Sequence, residues 1–156
     1  MQVALSYAQK ASDMNEVPIG AVIVRNNQVI AAGHNSTITK NSVTAHAELE
    51  AIDAAGTLLG NHRLIDCDMY VTVEPCHMCA KAIVHARLRK LFIGCLEPKE
   101  GAIFSQDNFF DKTFLNHQVS AEHGILEKEA RHLIQNFFKE RRLSLIHISE
   151  PTRRTT

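Results

Sequence analysis

Three residues of this 156-residue sequence have the types and spacing of zinc ligands. His46 precedes the pair Cys76 and Cys79, which are three positions apart and follow a proline. A catalytic zinc ion commonly takes three nitrogen or sulfur ligands and leaves its fourth position for water. Glu48, two residues after the histidine, is a residue type that can transfer protons to and from that water. These four residues predict a catalytic zinc site with one ion per chain.

A Cys-x-x-Cys pair alone is only moderately specific, because it also occurs in structural zinc sites, redox pairs and ordinary cores. A structural zinc site would need a fourth ligand, and the sequence has no second Cys-x-x-Cys and no His-x-x-x-His. Cys67 and Cys95 have apolar neighbours and are predicted to be core side chains. His77 lies between the motif cysteines, so it points to another side of a helix and is not predicted to be a ligand.

The first ligand is predicted to lie near the start of a helix. Thr44 is a favourable N-cap before a run of strong helix formers that contains His46 and Glu48, and Gly56 is the expected end.

The second and third ligands are expected at the start of another helix. Pro75 follows an apolar strand and suits the opening of a helix from Cys76 to Ala86. Cys76 and Cys79 would then be neighbours on one helix face. Partial positive charge at the two helix N-termini would stabilise the thiolates and an ionised water on the metal.

Periodicity and turn residues predict the remaining elements of an α/β layered domain. They are a helix at 2–14, a hairpin of strands 21–25 and 29–32 turned at Asn26-Asn27, strands at 68–73 and 91–95, and a final helix at about 125–142. The apolar stripe of the final helix is interpreted mainly as a core-packing face.

Composition indicates a single globular domain. Hydrophobic residues make up 45% of the chain and charged residues 22%. No apolar run approaches the roughly 20 residues of a membrane span, and no leader pattern is present. Four cysteines, two of them at metal spacing, fit a reducing compartment, so a cytoplasmic location is expected.

These motifs resemble those of the cytidine deaminase-like superfamily and, within it, the bacterial tRNA-specific adenosine deaminases. The matching segments are 16–24, 33–35, 44–48, 70–76, 94–101, 116–117 with 124–126, and 137–142. The resemblance covers about residues 1–142, the predicted deaminase domain. It implies a three-layer α/β/α fold with a central five-stranded mixed sheet, whose fifth strand lies near 119–121.

The resemblance implies hydrolytic conversion of adenosine to inosine at the wobble position of a tRNA anticodon loop. Zinc-activated water would attack C6 of adenine while Glu48 moves protons to the ring and to the leaving amine. A homodimer is also implied, and other single-stranded nucleic acids are further candidate partners. The substrate contacts carried over are Asn35, Ala47 and, in the loop 97–101, Glu97 and Lys99. In the final helix, Phe138 offers a stacking surface beside the basic residues Arg141 and Arg142, and these three are predicted to contact RNA. The family usually has aspartate at the position of Glu97.

Charge leaves a second function class open. Lys and Arg equal Asp and Glu at 17 each, and omission of Glu150, Arg153 and Arg154 leaves 15 against 16. A general nucleic-acid binder would be basic. A deaminase of free guanine or deoxycytidylate is therefore the alternative, whereas the aromatic and basic final helix favours RNA. A non-catalytic module with a structural zinc is the third class, and Glu48 argues against it.

Residues 143–156 differ in character from the rest of the chain. They resemble the translation of a transposase adapter, and we predict that they form a non-native or disordered tail that takes no part in function.

Overall fold

The computed structural model describes residues 1–155, with side chains to residue 145. Its elements are α1 (Gln2–Asp13), β1 (Gly20–Arg25), β2 (Gln28–His34), α2 (Ala47–Leu59), β3 (Cys67–Val73), α3 (His77–His85), β4 (Lys90–Cys95), a 3-10 turn (Phe109–Asp111), β5 (Ser120–His123) and α4 (Glu127–Thr155).

A five-stranded mixed sheet forms the middle layer, in the order β2-β1-β3-β4-β5. The strand β1 pairs antiparallel with both β2 and β3, whereas β3, β4 and β5 run parallel. Helices α2 and α3 cover one face, and α1 and α4 cover the other. The predicted three-layer fold with five strands is confirmed, and the fifth strand begins at Ser120.

The hairpin between β1 and β2 turns at the predicted residues. Asn26 and Asn27 have φ values of 52° and 61°. Two successive left-handed residues are the signature of a type I′ turn, and asparagine tolerates that conformation. The turn sets the register that pairs Arg25 with Gln28 and Val24 with Val29, and a bulge between Ile23 and Val24 shifts the pairs farther along the hairpin.

The helix that carries His46 begins and ends later than predicted. His46, not Thr44, is its N-cap, because residues 42–46 form a local turn in which the amide of His46 donates to the carbonyl of Thr44. Helical bonding starts with Glu50 N to His46 O at 3.0 Å. Gly56 lies inside the helix, and Gly60 with φ of 65° supplies the left-handed C-cap.

The final helix also differs from its predicted bounds. It begins at Glu127 because Leu126 has a φ of 52°, which no α-helix accommodates. It runs on to Thr155, so the predicted end near Arg142 is wrong. Side chains 141–145 are exposed, so this part of α4 does not pack on the domain. Despite the length of α4, the described residues include no helix apolar and long enough to cross a membrane.

Close backbone contact between β2 and α2 positions the first ligand. A Cβ atom at Gly33 would lie 2.6 Å from the carbonyl oxygen of Ala47 and 2.7 Å from the amide nitrogen of Ala51. Only glycine lets the strand approach the first turns of the helix this closely.

We expect Gly33→Ala to lower the free energy of unfolding by about 1–3 kcal/mol, because the added methyl forces α2 away from the sheet. Denaturant unfolding monitored by circular dichroism measures the change. Gly56→Ala is the control, since its Cβ would meet only Asn61 O at 3.3 Å. Alanine is the better helix former, so this control should stay within about 1 kcal/mol of the parent. Equal stability of the two variants would contradict the packing argument.

Candidate active site

Three donor atoms converge beyond the carboxyl end of the central strand β3. His46 Nδ1 lies 3.8 Å from Cys76 Sγ and 3.4 Å from Cys79 Sγ. All three ligand atoms lie within 4.8 Å of one another. Tetrahedral zinc with ordinary bond lengths separates a nitrogen and a sulfur ligand by about 3.6 Å, a value that lies between the two nitrogen–sulfur distances of this cluster.

The helix starts leave these donors free for a metal. His46 is the N-cap of α2 and Cys76 is the N-cap of α3, both with extended backbone. Neither side chain makes a capping hydrogen bond. The imidazole and the sulfur therefore point away from their own helices toward each other, in the positive field of two helix N-termini.

The two thiols have opposite pKa shifts in the metal-free protein. A hydrogen bond from Cys79 lowers the pKa of Cys76 to about 3. The same hydrogen bond, together with burial, raises the pKa of Cys79. The cluster therefore favours the thiolate at Cys76, whereas Cys79 must lose its proton when a metal binds.

Glu48 is placed as a proton carrier. It lies in the first turn of α2 with only 4% of its surface exposed. Burial raises its pKa to about 7, Cys76 adds to the rise, and His46 opposes it. A carboxyl group in this condition can both accept and donate a proton near neutral pH.

A cavity of about 540 Å³ opens over the donor cluster, a size typical of small-molecule sites. Five of the predicted substrate residues line it: Asn35, Ala47, Glu97, Lys99 and Phe138. Cys95, predicted as a core residue, is buried and also borders the cavity.

Asn35 and Glu97 differ in what they can offer a ligand. Asn35 is buried and lines the cavity. The Glu97 carboxylate already accepts hydrogen bonds from the amides of Lys99 at 3.3 Å and Glu100 at 2.5 Å. Asn35 therefore borders the space that a ligand would occupy, whereas Glu97 holds its own loop.

The aromatic and basic end of α4 lies partly outside the cavity. Phe138 is 44% exposed at the rim, with its ring centroid 5.4 Å from that of Phe137. The Arg141 guanidinium lies 5.6 Å from the Phe137 ring. Arg141 and Arg142 are exposed and do not line the cavity. They can reach only a ligand that extends beyond it.

Two other residues that the sequence singled out lie outside the donor cluster. His77 Nε2 lies 3.0 Å from Asp107 Oδ2 and does not belong to the donor cluster. Cys67 is fully buried in the core.

Two buried glutamates that the sequence analysis missed hold the loops around the cavity. The Glu16 carboxylate accepts from the amides of Ile38 and Thr39 at 3.2 and 2.7 Å. The Glu74 carboxylate likewise accepts hydrogen bonds from backbone amides of the loop 97–105. A signal existed for Glu74, since an acidic residue in an otherwise apolar strand end needs a partner.

A His-Cys-Cys donor set, a neighbouring buried glutamate and this mixed sheet together define a zinc-dependent nucleobase deaminase. The MafB19-like deaminase family model matches residues 1–142. The chain belongs to this family, among the bacterial tRNA-specific adenosine deaminases.

Three relatives illustrate the similarity. The tRNA-specific adenosine deaminase of Agrobacterium fabrum is 45% identical over 143 residues, covering 92% of this chain and 94% of its own. A solved structure from work on tRNA:A34 deaminases has a TM-score of 0.83 at 44% identity, covering 85% of this chain and 96% of its own. The structure of guanine deaminase from Bacillus subtilis has a TM-score of 0.59 at 34% identity, and the match covers 76% of this chain and 79% of that chain.

We expect iodoacetamide to alkylate Cys76 first once metal has been removed by chelation, because its pKa is about 3 and it is partly exposed. Above that pKa the residue is a thiolate, so the rate of alkylation of Cys76 should not change between pH 5 and 8. An ordinary thiol with pKa near 8.5 would instead gain about tenfold per pH unit. Mass spectrometry of tryptic peptides measures each site.

Cys67 and Cys95 are the internal controls. Burial raises the pKa of both thiols, and neither should be modified while the protein is folded. Modification of Cys95 before Cys76 would contradict the assignment of the thiolate.

Proposed function

We propose that this protein hydrolyses adenosine to inosine at the wobble position of a tRNA anticodon loop, with one zinc ion held by His46, Cys76 and Cys79. The observation that carries the proposal is the convergence of these donors beside Glu48 at the base of the cavity. The identity to tRNA-specific adenosine deaminases over most of the chain supports it.

The chain's own residues account for the proton transfers. When bound, zinc supplies a Lewis acid that lowers the pKa of water to about 7. Glu48 takes one proton from the attacking water and delivers it to the purine ring nitrogen. It then takes the remaining hydroxyl proton of the C6 adduct and delivers it to the amino group, which leaves as ammonia as the carbonyl of inosine forms. Burial keeps the pKa of Glu48 near neutrality, which lets one carboxyl group serve in both directions.

The cavity requires an unstacked base. Its volume accommodates a single nucleoside, and a base within a duplex cannot reach the donor cluster. Asn35 and Ala47 line the cavity, and we assign recognition of the base edge to the Asn35 side chain and the Ala47 backbone. These contacts fit a splayed loop nucleotide, as in single-stranded RNA recognition.

Recognition outside the cavity rests on a few side chains. Phe138 offers a ring for stacking, and Lys99, Arg141 and Arg142 offer positive charge near the rim. Net charge does not supply affinity, because positive and negative residues balance. Binding of RNA phosphates would therefore depend on these few positively charged side chains.

We also infer that the working unit is a homodimer in the cytoplasm, with α3 and the following loop near the contact. Met78 and Phe114 are exposed apolar side chains in that region, 37% and 64% accessible. All four cysteines are free, which fits a reducing compartment. Residues 1–142 form the proposed deaminase domain, the same span that the family model matches.

The proposal is tested with an anticodon stem-loop that carries adenosine at the wobble position. We expect its conversion to inosine, measured by mass spectrometry of nucleosides, to exceed that of free adenosine, guanine and deoxycytidylate by at least about a hundredfold in kcat/KM, because remote contacts orient the base. Glu48→Gln is the control. This variant should keep one zinc per chain, as measured by elemental analysis, and its kcat should fall by a factor of about 10²–10⁴.

Guanine is the most informative competitor in this experiment. The similarity to Bacillus subtilis guanine deaminase and the balanced charge favour a free-base deaminase as the second candidate. Comparable turnover of guanine and the stem-loop would move the assignment to that class.

We expect the double variant Arg141→Glu, Arg142→Glu to weaken stem-loop binding and to flatten its dependence on salt by up to about two ion equivalents, because two phosphate contacts are lost. Both side chains are exposed, so the melting temperature should stay within about 2 °C of the parent. Fluorescence anisotropy at several salt concentrations measures the slope.

Arg63→Glu is the control for general loss of positive charge, since Arg63 is exposed and follows the far end of α2. An unchanged stem-loop affinity in the double variant would show that this end of α4 is only a solvated surface.

A further inference from the structure

We propose that Glu74 is a positioning residue that fixes the loop 97–105, one wall of the cavity, against the metal-ligand helix. The inference deepens the proposed function, since it concerns how the same site holds its substrate. It assigns a role to a side chain that borders the cavity but lies outside the donor cluster.

The Glu74 carboxylate is a hub of backbone hydrogen bonds. It is 4% exposed and accepts from the amides of Glu97, Ile103, Phe104 and Ser105 at 3.0, 3.1, 2.7 and 3.0 Å. The Ser105 hydroxyl donates to it as well. Glu74 forms no ion pair with a lysine or arginine among the described residues. Its charge is therefore balanced by the loop alone.

Both oxygens of the Glu74 carboxylate accept hydrogen bonds, so a neutral amide at this position could not replace the carboxylate. One oxygen accepts from Glu97 and the Ser105 hydroxyl, and the other accepts from three consecutive amides, 103–105. A glutamine has one acceptor oxygen and an NH₂ group. One set of donors would then face another donor and lose its partner.

Gly101 shows how tightly the loop surrounds this group. A Cβ atom at Gly101 would overlap the carboxyl carbon and both oxygens of Glu74. The next residue, Ala102, donates its amide to the carbonyl of Pro75 at 2.9 Å. The loop is thus pinned at two successive residues of the strand-to-helix connection.

The position of Glu74 in the chain links the loop that it holds to the metal-binding residues. It lies two residues before Cys76, which is a donor to the metal. The loop that it holds contributes Glu97, Pro98 and Lys99 to the cavity. One side chain therefore sets the distance between the reacting centre and the wall that meets the substrate.

Hydrogen–deuterium exchange of the zinc-loaded protein tests the anchoring directly. In Glu74→Gln we expect amide exchange within 97–105 to speed up by at least about tenfold, with the β1 and β3 amides unchanged, because the loop opens locally. Ser105→Ala, which removes only the hydroxyl donor, should give a smaller increase in the same segment.

Steady-state kinetics on the stem-loop test the role in positioning. For Glu74→Gln we expect KM to rise by about tenfold while kcat stays within about threefold and zinc remains at one per chain. Glu74→Asp keeps the charge and should recover part of the loss in KM. Glu16→Gln is the matched control, because it should speed exchange at 38–39 and leave 97–105 unchanged.

The outcomes separate this inference from the proposed function. If the parent protein does not edit the stem-loop, the proposed function fails, and exchange still reports on the anchor. Unchanged exchange in 97–105, or equally faster exchange throughout the chain, would overturn the role of Glu74. A loss confined to kcat or a loss of zinc would overturn it as well.

Discussion

The central position of β3 is the constraint on which the site depends. This strand pairs antiparallel with β1 and parallel with β4, and Val71 and Thr72 within it are fully buried. The Thr72 hydroxyl accepts a hydrogen bond from the amide of Gly20, which ties β1 to the same point. The strand ends at Val73, so the helix after it must start where the cysteines meet His46.

The donor set and the fold could be predicted because their signals are local. Zinc chemistry restricts ligand types and spacing, and the asparagine turn, the strands and α3 each follow from a few neighbouring residues. The boundaries of α2 could not be predicted, because Thr44 as a cap competes with a turn over 42–46 that only the folded chain reveals. Gly60 rather than Gly56 ends the helix for a similar reason.

The hydrogen bonds that organise the cavity walls could not be predicted from the sequence. The donors to Glu74 lie 23 to 31 residues later in an irregular loop, where no periodicity marks them. Glu97 matches the position of a family aspartate, yet it caps its own loop. In both cases the partner is a backbone amide, and every residue except proline carries one, so residue type gives no information about the pairing.

The separation of the ligands along the chain couples metal affinity to folding. Under the zinc proposal, an ion bound to His46, Cys76 and Cys79 closes a loop that spans α2 and β3, and the unfolded chain offers no such preformed site. Mass action then adds about 1.4 kcal/mol to the free energy of unfolding for each tenfold excess of free zinc over its dissociation constant. Under the same proposal the catalytic ion is also a structural crosslink, so loss of zinc would lower both the activity and the free energy of unfolding.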